Sequence, residues 1–311
     1  MEKLLSLNGV FAVLKPAGET SAKTVDRVKS ALIRSALPKG NSHPGAFKKL
    51  SRQIKVGHGG TLDPMATGVL VIGLNGGCKE LTKYLSGSKS YVAEARFGEH
   101  FDTLDCTGKL LQTDAKWMDA VEGGDDKVES VLGKFVGEAV MQRPPAFSAI
   151  HVNGKRAYEL ARKESESLSV KKDGCEAPTN ESSDSKESDT TEITNPADST
   201  DSAELAATLS TAPQKEASFD IPARPVAIES VTYTPLTLPL FQLSVSCGGG
   251  CYIRSLIRDI AAEVGTLAVM TKLERCKQGI FEMEMCLKSE EEWGNLEIVE
   301  EAIKRSKSII I

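Results

Sequence analysis

Apolar positions recur along this chain with two different periods. Residues 10–14, 69–74, 90–97, 227–233 and 240–247 read as strands from their apolar, β-branched and aromatic content. Between residues 21 and 37 the period lengthens, and Val25, Val28, Leu32 and Ile33 fall on one face of an amphipathic helix. Shorter helices are predicted near residues 79–85, 128–136, 158–163 and 253–264. Strands and helices alternate irregularly, and hairpin-compatible pairs are frequent. That order favours an α+β fold, with helices flanking a mixed, largely antiparallel sheet.

Composition sharpens this picture at a few points. With 311 residues and 40% hydrophobic content, the chain is long enough for one large or two modest domains with a proper core. The longest apolar runs, such as 69–74 and 309–311, fall far short of the ~20 residues needed to cross a bilayer, so no membrane span is expected. Glu2 and a strand beginning by Val10 leave no room for a secretory signal or transit peptide of ordinary length. Cytosol or nucleus is the expected address, with a mitochondrial pool left open. The seven cysteines are scattered and odd in number, unlike a disulfide framework or zinc site. Cys247 and Cys251, the close pair, are expected to be buried and reduced.

Two stretches look inserted. Residues 164–222 turn abruptly to Ser, Thr, Asp and Glu, with fourteen acidic residues against four lysines, and are expected to be disordered. The net charge of −5 is therefore carried by this segment, and the remainder of the chain is mildly basic. Residues 38–55 hold Lys39, Lys48, Lys49, Arg52 and Lys55, and read as a basic surface loop, either simply solvated or placed to touch phosphates.

The most informative stretch is Gly57-His58-Gly59-Gly60-Thr61-Leu62-Asp63-Pro64-Met65-Ala66-Thr67-Gly68. Three glycines before an aspartate suit a loop whose backbone presses against a bulky ligand and presents Asp63 to it. The local alternative is a helix start, with Asp63 as N-cap and Pro64 at the first helical position. The misplaced third glycine and the lack of a plain following helix argue against a dinucleotide fingerprint.

Taken with other blocks in order, this string resembles the TruB family of pseudouridine synthases. The blocks are Gly9-Val10-Phe11-Ala12-Val13-Leu14-Lys15-Pro16, Lys89-Ser90-Tyr91-Val92-Ala93-Glu94, Asp102-Thr103-Leu104-Asp105-Cys106-Thr107-Gly108, Pro144-Pro145-Ala146-Phe147-Ser148-Ala149 and Tyr252-Ile253-Arg254. The resemblance covers residues 8–163 and 223–285 and implies the pseudouridine synthase fold. It also implies isomerisation of uridine to pseudouridine at position 55 in the tRNA T-arm, needing no cofactor or metal. Asp63 falls on the family's catalytic aspartate, acting by attack at the sugar or by elimination to a glycal. Arg254 falls on its cationic partner, and a cation beside a partly buried carboxylate keeps it ionised. Tyr91 falls on the tyrosine that stacks on the target base. Tyr252 would wall the pocket, His58 would help turn the base out, and Lys15 would support the pocket wall. Leu273 or Cys276 would line the pocket, with Leu273 preferred.

The resemblance further implies residues 1–163 and 223–311 as two parts of one catalytic domain, split by the 164–222 insertion and ending in a helical tail. No stretch resembling the family's bacterial PUA domain follows Met285. A stand-alone monomer of fungal type is expected, with tRNA and T-loop-like mRNA sites as partners, no guide RNA and no membrane. The rival expectation is a tRNA-folding chaperone, for which Asp63 would be dispensable.

Overall fold

A computed structural model describes residues 1–38, 44–122, 124–152, 154–170, 219 and 221–310, with residues 165–170 and 310 described by backbone alone. Ten strands form one sheet: β1 (Gly9–Lys15), β2 (Val56–His58), β3 (Thr67–Leu74), β4 (Lys89–Phe97), β5 (Gly137–Gln142), β6 (Arg224–Pro235), β7 (Leu240–Cys247), β8 (Ala268–Gln278), β9 (Phe281–Glu282) and β10 (Cys286–Leu287). Their order is β10-β1-β3-β8-β4-β7-β6-β5, with β2 on β3 and β9 on β8. Two pairings, β1 with β10 and β3 with β8, are parallel and the others antiparallel. The mixed, largely antiparallel sheet is therefore as the chain pattern suggested. The main helices are α1 (Ser21–Ala36), α2 (Pro44–Gln53), α3 (Leu81–Ser86), α4 (Asp125–Leu132), α5 (Ala157–Val170), α6 (Ile253–Val264), α7 (Glu290–Gly294) and α8 (Leu296–Ile310).

Three apolar cores hold the sheet, a small one around Val10, Val71, Tyr84 and Phe281 and two larger ones. In the first of the larger two, Phe11, Val13, Leu70 and Ile72 of β1 and β3 meet Val28, Leu32 and Ile33 of α1 and Trp293, Val299 and Ile303 of α7 and α8. In the other, Tyr91, Ala93 and Phe97 of β4, Phe241 and Leu243 of β7 and Leu273 of β8 meet Leu256, Ile257 and Ile260 of α6. Each large apolar side chain buried this way adds about 1.5–3 kcal/mol relative to an exposed one. Helix α1 begins where the Thr20 hydroxyl accepts from the Lys23 N–H at 3.2 Å, and it ends two residues before Pro38, which disfavours helix in the residue ahead of it.

The structure departs from the chain reading in several places. Residues 44–53, expected in a basic loop, form α2, because Leu50 finds a buried place beneath α1. The 128–136 helix stops at Leu132 and tightens into a 3₁₀ turn, Gly133–Phe135. A 3₁₀ segment, Asn75–Glu80, takes up the first residues of the expected 79–85 helix. Helix α5 runs on to Val170, beyond the expected start of the insertion at Glu164, and Ile221 at its far end is buried. The rest of that insertion, from 171 to 218, lies outside the described residues, as do 39–43. Strand β8, at the middle of the sheet, escaped the sequence reading altogether. Its buried positions include Arg275 and Gln278, which break the apolar alternation that marks a strand. Among the described residues, no helix is long and apolar enough to cross a membrane.

The sheet narrows where β3 meets β8. They pair only at Thr67 with Glu274 and Gly68 with Arg275. Gly68 has φ +115° there, and a Cβ on it would lie 2.3 Å from the Arg275 carbonyl oxygen, so the close approach requires glycine. The loop carrying Asp63 arises immediately before this junction.

Candidate active site

Residues 59–66 join β2 to β3, and their backbone is tied down from three sides. Ser21, the first residue of α1, accepts from the Leu62 N–H at 2.8 Å and donates back to the Leu62 carbonyl at 3.2 Å. The Lys15 ammonium, fully buried at the end of β1, donates to the carbonyls of Pro16 (2.7 Å), Pro64 (3.2 Å) and Ala66 (2.7 Å). Three donors meet three acceptors, which is how an ammonium is accommodated away from water. Burial nevertheless pulls its pKa down to about 8. The Gly18 N–H adds a bond to Pro64 O at 2.8 Å. No helix follows Asp63; the Ala66 N–H bonds back to the Asp63 carbonyl in a turn. The helix-cap alternative therefore does not occur.

Asp63 presents both carboxylate oxygens to one guanidinium. Arg254 Nη2 donates to Oδ1 at 2.8 Å, and Nε lies 2.8 Å from Oδ2. This bidentate fork is the strong form of the Arg–carboxylate pair. The Asp63 side chain stays 26% exposed while Arg254 is 4% exposed, so the carboxylate is the accessible member. Arg254 is fixed further by donating to the carbonyls of Thr103 (2.7 Å) and Phe147 (3.1 Å), and its Nη1 lies 3.6 Å from Asp105 Oδ2. Asp105 is itself buried, accepting from the Thr107 N–H at 3.0 Å and from the hydroxyls of Thr103 (2.9 Å) and Thr107 (2.5 Å).

Arg254 owes its position to the start of α6. The Gln142 side chain at the end of β5 bonds both the N–H (2.8 Å) and the carbonyl (3.1 Å) of Tyr252. Ser255 Oγ donates to Arg143 O at 2.8 Å. Residues 142–147 are thereby docked on the first turn of α6. Burial raises the pKa of Tyr252, with the nearby Ser148 side chain acting in the opposite direction.

Tyr91 lies on β4 facing α6, opposite Arg275 on β8 and Val245 on β7. Its apolar cluster includes Leu62 and Ala66, which flank Asp63, and Leu273. Burial pushes the phenol up to about 12, while the charge of Arg275 and its hydrogen bond to the hydroxyl act in the opposite direction. Arg275 is 1% exposed and also donates to Val69 O (2.7 Å) and Gly60 O (3.2 Å), so one guanidinium joins the glycine loop, β3 and Tyr91. Leu273 shares the Tyr91 side of β8, whereas the Cys276 thiol lies against Glu274. His58 on β2 accepts at Nδ1 from the Gly60 N–H at 3.4 Å, and burial, with the charge of Arg275 adding to it, lowers its pKa. That direction favours the neutral imidazole. Cys247 and Cys251 are free thiols in contact with each other.

The structure thus brings Asp63, Arg254, Lys15, Tyr91 and Leu273 around one loop, with Tyr252 and His58 at its margins. Sequence reasoning gave no role to Asp105, Arg275, Gln142 or Ser21. Asp105 and Ser148 lay within motifs already noticed, and Arg275 stands two residues from Leu273, but nothing local marks a charged residue as buried. Beside the loop, an open groove of about 680 Å³ is lined by Pro64, Met65, Thr107 and Leu273 and by Val92 and Glu94 on the other face of β4 from Tyr91; Asp63, Arg254 and Tyr91 do not line it.

A carboxylate held on both oxygens by a buried arginine, with a buried tyrosine near the same loop, thus stands at the narrow junction of a mixed sheet. The chain belongs to the TruB family of pseudouridylate synthases. Residues 48–191, which contain Asp63, Tyr91 and Asp105, match the TruB family pseudouridylate synthase N-terminal domain. Pseudouridylate synthase TRUB1 of Mus musculus is 36% identical over 308 residues, spanning 99% of this chain and 73% of the mouse protein. The tRNA pseudouridine synthase 4 of Schizosaccharomyces pombe is 32% identical, spanning 89% of this chain and 80% of the yeast protein. A chain in the crystal structure of a Cbf5-Nop10-Gar1 complex superposes with TM-score 0.51 at 20% identity, over 92% of this chain and 54% of that one. That last likeness is one of fold.

Proposed function

We propose that this protein isomerises the uridine at position 55 in the T-arm of tRNA to pseudouridine, with Asp63 as the catalytic carboxylate. The observation that carries the proposal is that the Asp63 carboxylate, which lies in the family-matched segment, is gripped on both oxygens by buried Arg254. The names of the relatives from yeast and from Clostridium tetani, a tRNA pseudouridine synthase B that is 31% identical, support tRNA as substrate.

The reaction breaks the bond from C1′ to N1, turns the base while it stays bound, joins C1′ to C5 and removes the C5 proton. Asp63 serves it as an ionised carboxylate, either attacking C1′ or taking the C2′ proton to give a glycal. Both routes need an anion near the sugar, and Arg254 supplies the compensating charge and the orientation without blocking the exposed edge. The extruded uracil stacks on Tyr91, and such stacking recovers about 1–3 kcal/mol of the unstacking cost. His58 sits at the mouth of the loop, suited to contact RNA without acid–base work.

The test is position-resolved pseudouridine detection on tRNA transcripts incubated with purified protein and no additives. Product at position 55 that vanishes with Asp63→Asn is expected. Absence of product, or product made equally by Asp63→Asn, overturns the proposal.

A further inference from the structure

Residues 27–62 contain eight lysines and arginines and no aspartate or glutamate, in a chain whose net charge is −5. Six of these cations fall into two groups in the structure, Lys39 lying outside the described residues. Arg27 and Arg34 on α1 are neutralised, Arg27 by Glu19 (2.9 Å) and Glu290 (2.7 Å) and Arg34 by Glu290 (3.4 Å). Lys48, Lys49 and Arg52 on α2 and Lys55 just after it are exposed, and none has an ion-pair partner among the described residues.

Their placement is specific. Leu50 and Ile54 anchor the buried side of α2, so the opposite side is committed to the cations, with Lys48 and Arg52 one turn apart, about 6 Å along the helix axis. Ile54 and Lys55 lead directly into β2, whose last residue is His58. Lys55 also lies close enough to Cys78 for its charge to act on that thiol, and the exposed Lys79 and Lys83 follow in the adjoining segment, where Glu80 is the one acid. The Lys55 carbonyl accepts from the Asn75 N–H and Val56 pairs with Leu74, so these cations gather at the far end of β3 from Thr67 and the Asp63 loop, and an RNA touching both would run the length of that strand. Eight residues separate Lys55 from Asp63, a reach of at most about 26–29 Å.

We infer that the exposed face of α2 is a docking surface for the phosphate backbone of the substrate RNA, outside the nucleotide that enters the active site. This rests on the tRNA reading above and adds to it a second, sequence-independent contact region. On α2 itself, unpaired cations with no acidic residue between them repel one another and are relieved by a polyanion, each phosphate contact releasing condensed counterions. An acidic protein partner would use the same charge, but the surface joins the strand that carries His58 beside the reacting loop, and RNA is what that loop receives.

The experiment uses the full chain and a tRNA transcript, with affinity measured across salt concentrations for wild type, Lys48→Ala/Lys49→Ala/Arg52→Ala, and the charge-keeping Lys48→Arg/Lys49→Arg. The alanine triple should flatten the slope of log affinity against log salt by about 2–3 and weaken low-salt binding by about tenfold or more. The arginine double should keep the wild-type slope. Each single alanine substitution should lower the slope by about 0.7–0.9, which carries the test should the triple fold poorly. An unchanged slope in the triple and in the singles overturns the inference, as does equal weakening in the arginine double. Product formation by the wild type, measured in parallel, reports separately on the tRNA reading, so the failure of one is not mistaken for failure of the other.

Discussion

Asp63 and Arg254 stand 191 positions apart in the chain, yet the guanidinium meets both carboxylate oxygens at 2.8 Å. The same guanidinium reaches Thr103 and Phe147, so four segments converge on one cation. Substituting Asp63 by Asn keeps the shape but removes the anionic oxygen. Product formation in single-turnover assays should be abolished while RNA affinity stays within a few fold. Arg254→Ala should cut turnover by about two to four orders of magnitude, because hydrogen bonds to a charged group are worth about 1.5–3 kcal/mol each. Arg254→Lys restores charge without the fork and should recover only part of the rate.

Tyr91 is held by its ring in the apolar cluster and by its hydroxyl on Arg275. Tyr91→Phe keeps the stacking plane and should bind RNA well but turn over slowly. Tyr91→Leu should impair both. Arg275→Leu should produce a broader defect than Tyr91→Phe, since Gly60 and Val69 lose their donor as well. Single-turnover rate and affinity, measured for all three, separate these outcomes.

Lys15 should set an alkaline limit on activity. In the folded protein its pKa is pulled down to about 8, against 10.5 for an ordinary lysine. As pH rises through 8 the ammonium loses a proton, and with it a donor to the carbonyls that hold the Asp63 loop. Activity should therefore decline between about pH 7.5 and 9, a range in which Tyr91, near 12, does not titrate. The contribution to stability has the opposite sign: between about 8 and 10.5 the unfolded chain holds a proton the folded chain has released, so stability from this group rises with pH. Lys15→Met should lower activity and flatten the decline. Lys89, also lowered to about 8, holds the Leu85 and Gly87 carbonyls instead, and Lys89→Met should leave the decline in place.

The last helices are part of the core. Trp293 is 2% exposed, donates from its indole to Leu287 O at 2.9 Å, and lies 5.2 Å beneath the Arg27 guanidinium. Trp293→Ala should destabilise the fold by about 3–5 kcal/mol. Denaturant unfolding of the two proteins provides the measurement, and a loss below about 1 kcal/mol would mean that α7 is dispensable to the first core.

Local chemistry determined a good part of this protein. Apolar spacing placed α1, β4, β7 and α6 within a residue or so, because in each most of the buried positions are apolar and show their period in the chain. The glycines around Asp63 were legible for the same kind of reason, a backbone requirement visible in residue type. Other features exist only in three dimensions. Strand β8 is hidden because its inward positions include Arg275 and Gln278, which are satisfied by carbonyls of Val69, Gly60, Gly59 and Tyr84 from distant segments. Nothing near Lys15 in sequence indicates that an ammonium could be buried there, since two of its acceptors, Pro64 and Ala66, lie about fifty residues away. The basic face of α2 depended on Leu50 finding a core to enter, and Asp105 became part of the site only when α6 brought Arg254 beside it. Residue type and spacing are local properties and can be read along the chain. Whether a buried charge is tolerable depends on partners that only tertiary packing supplies.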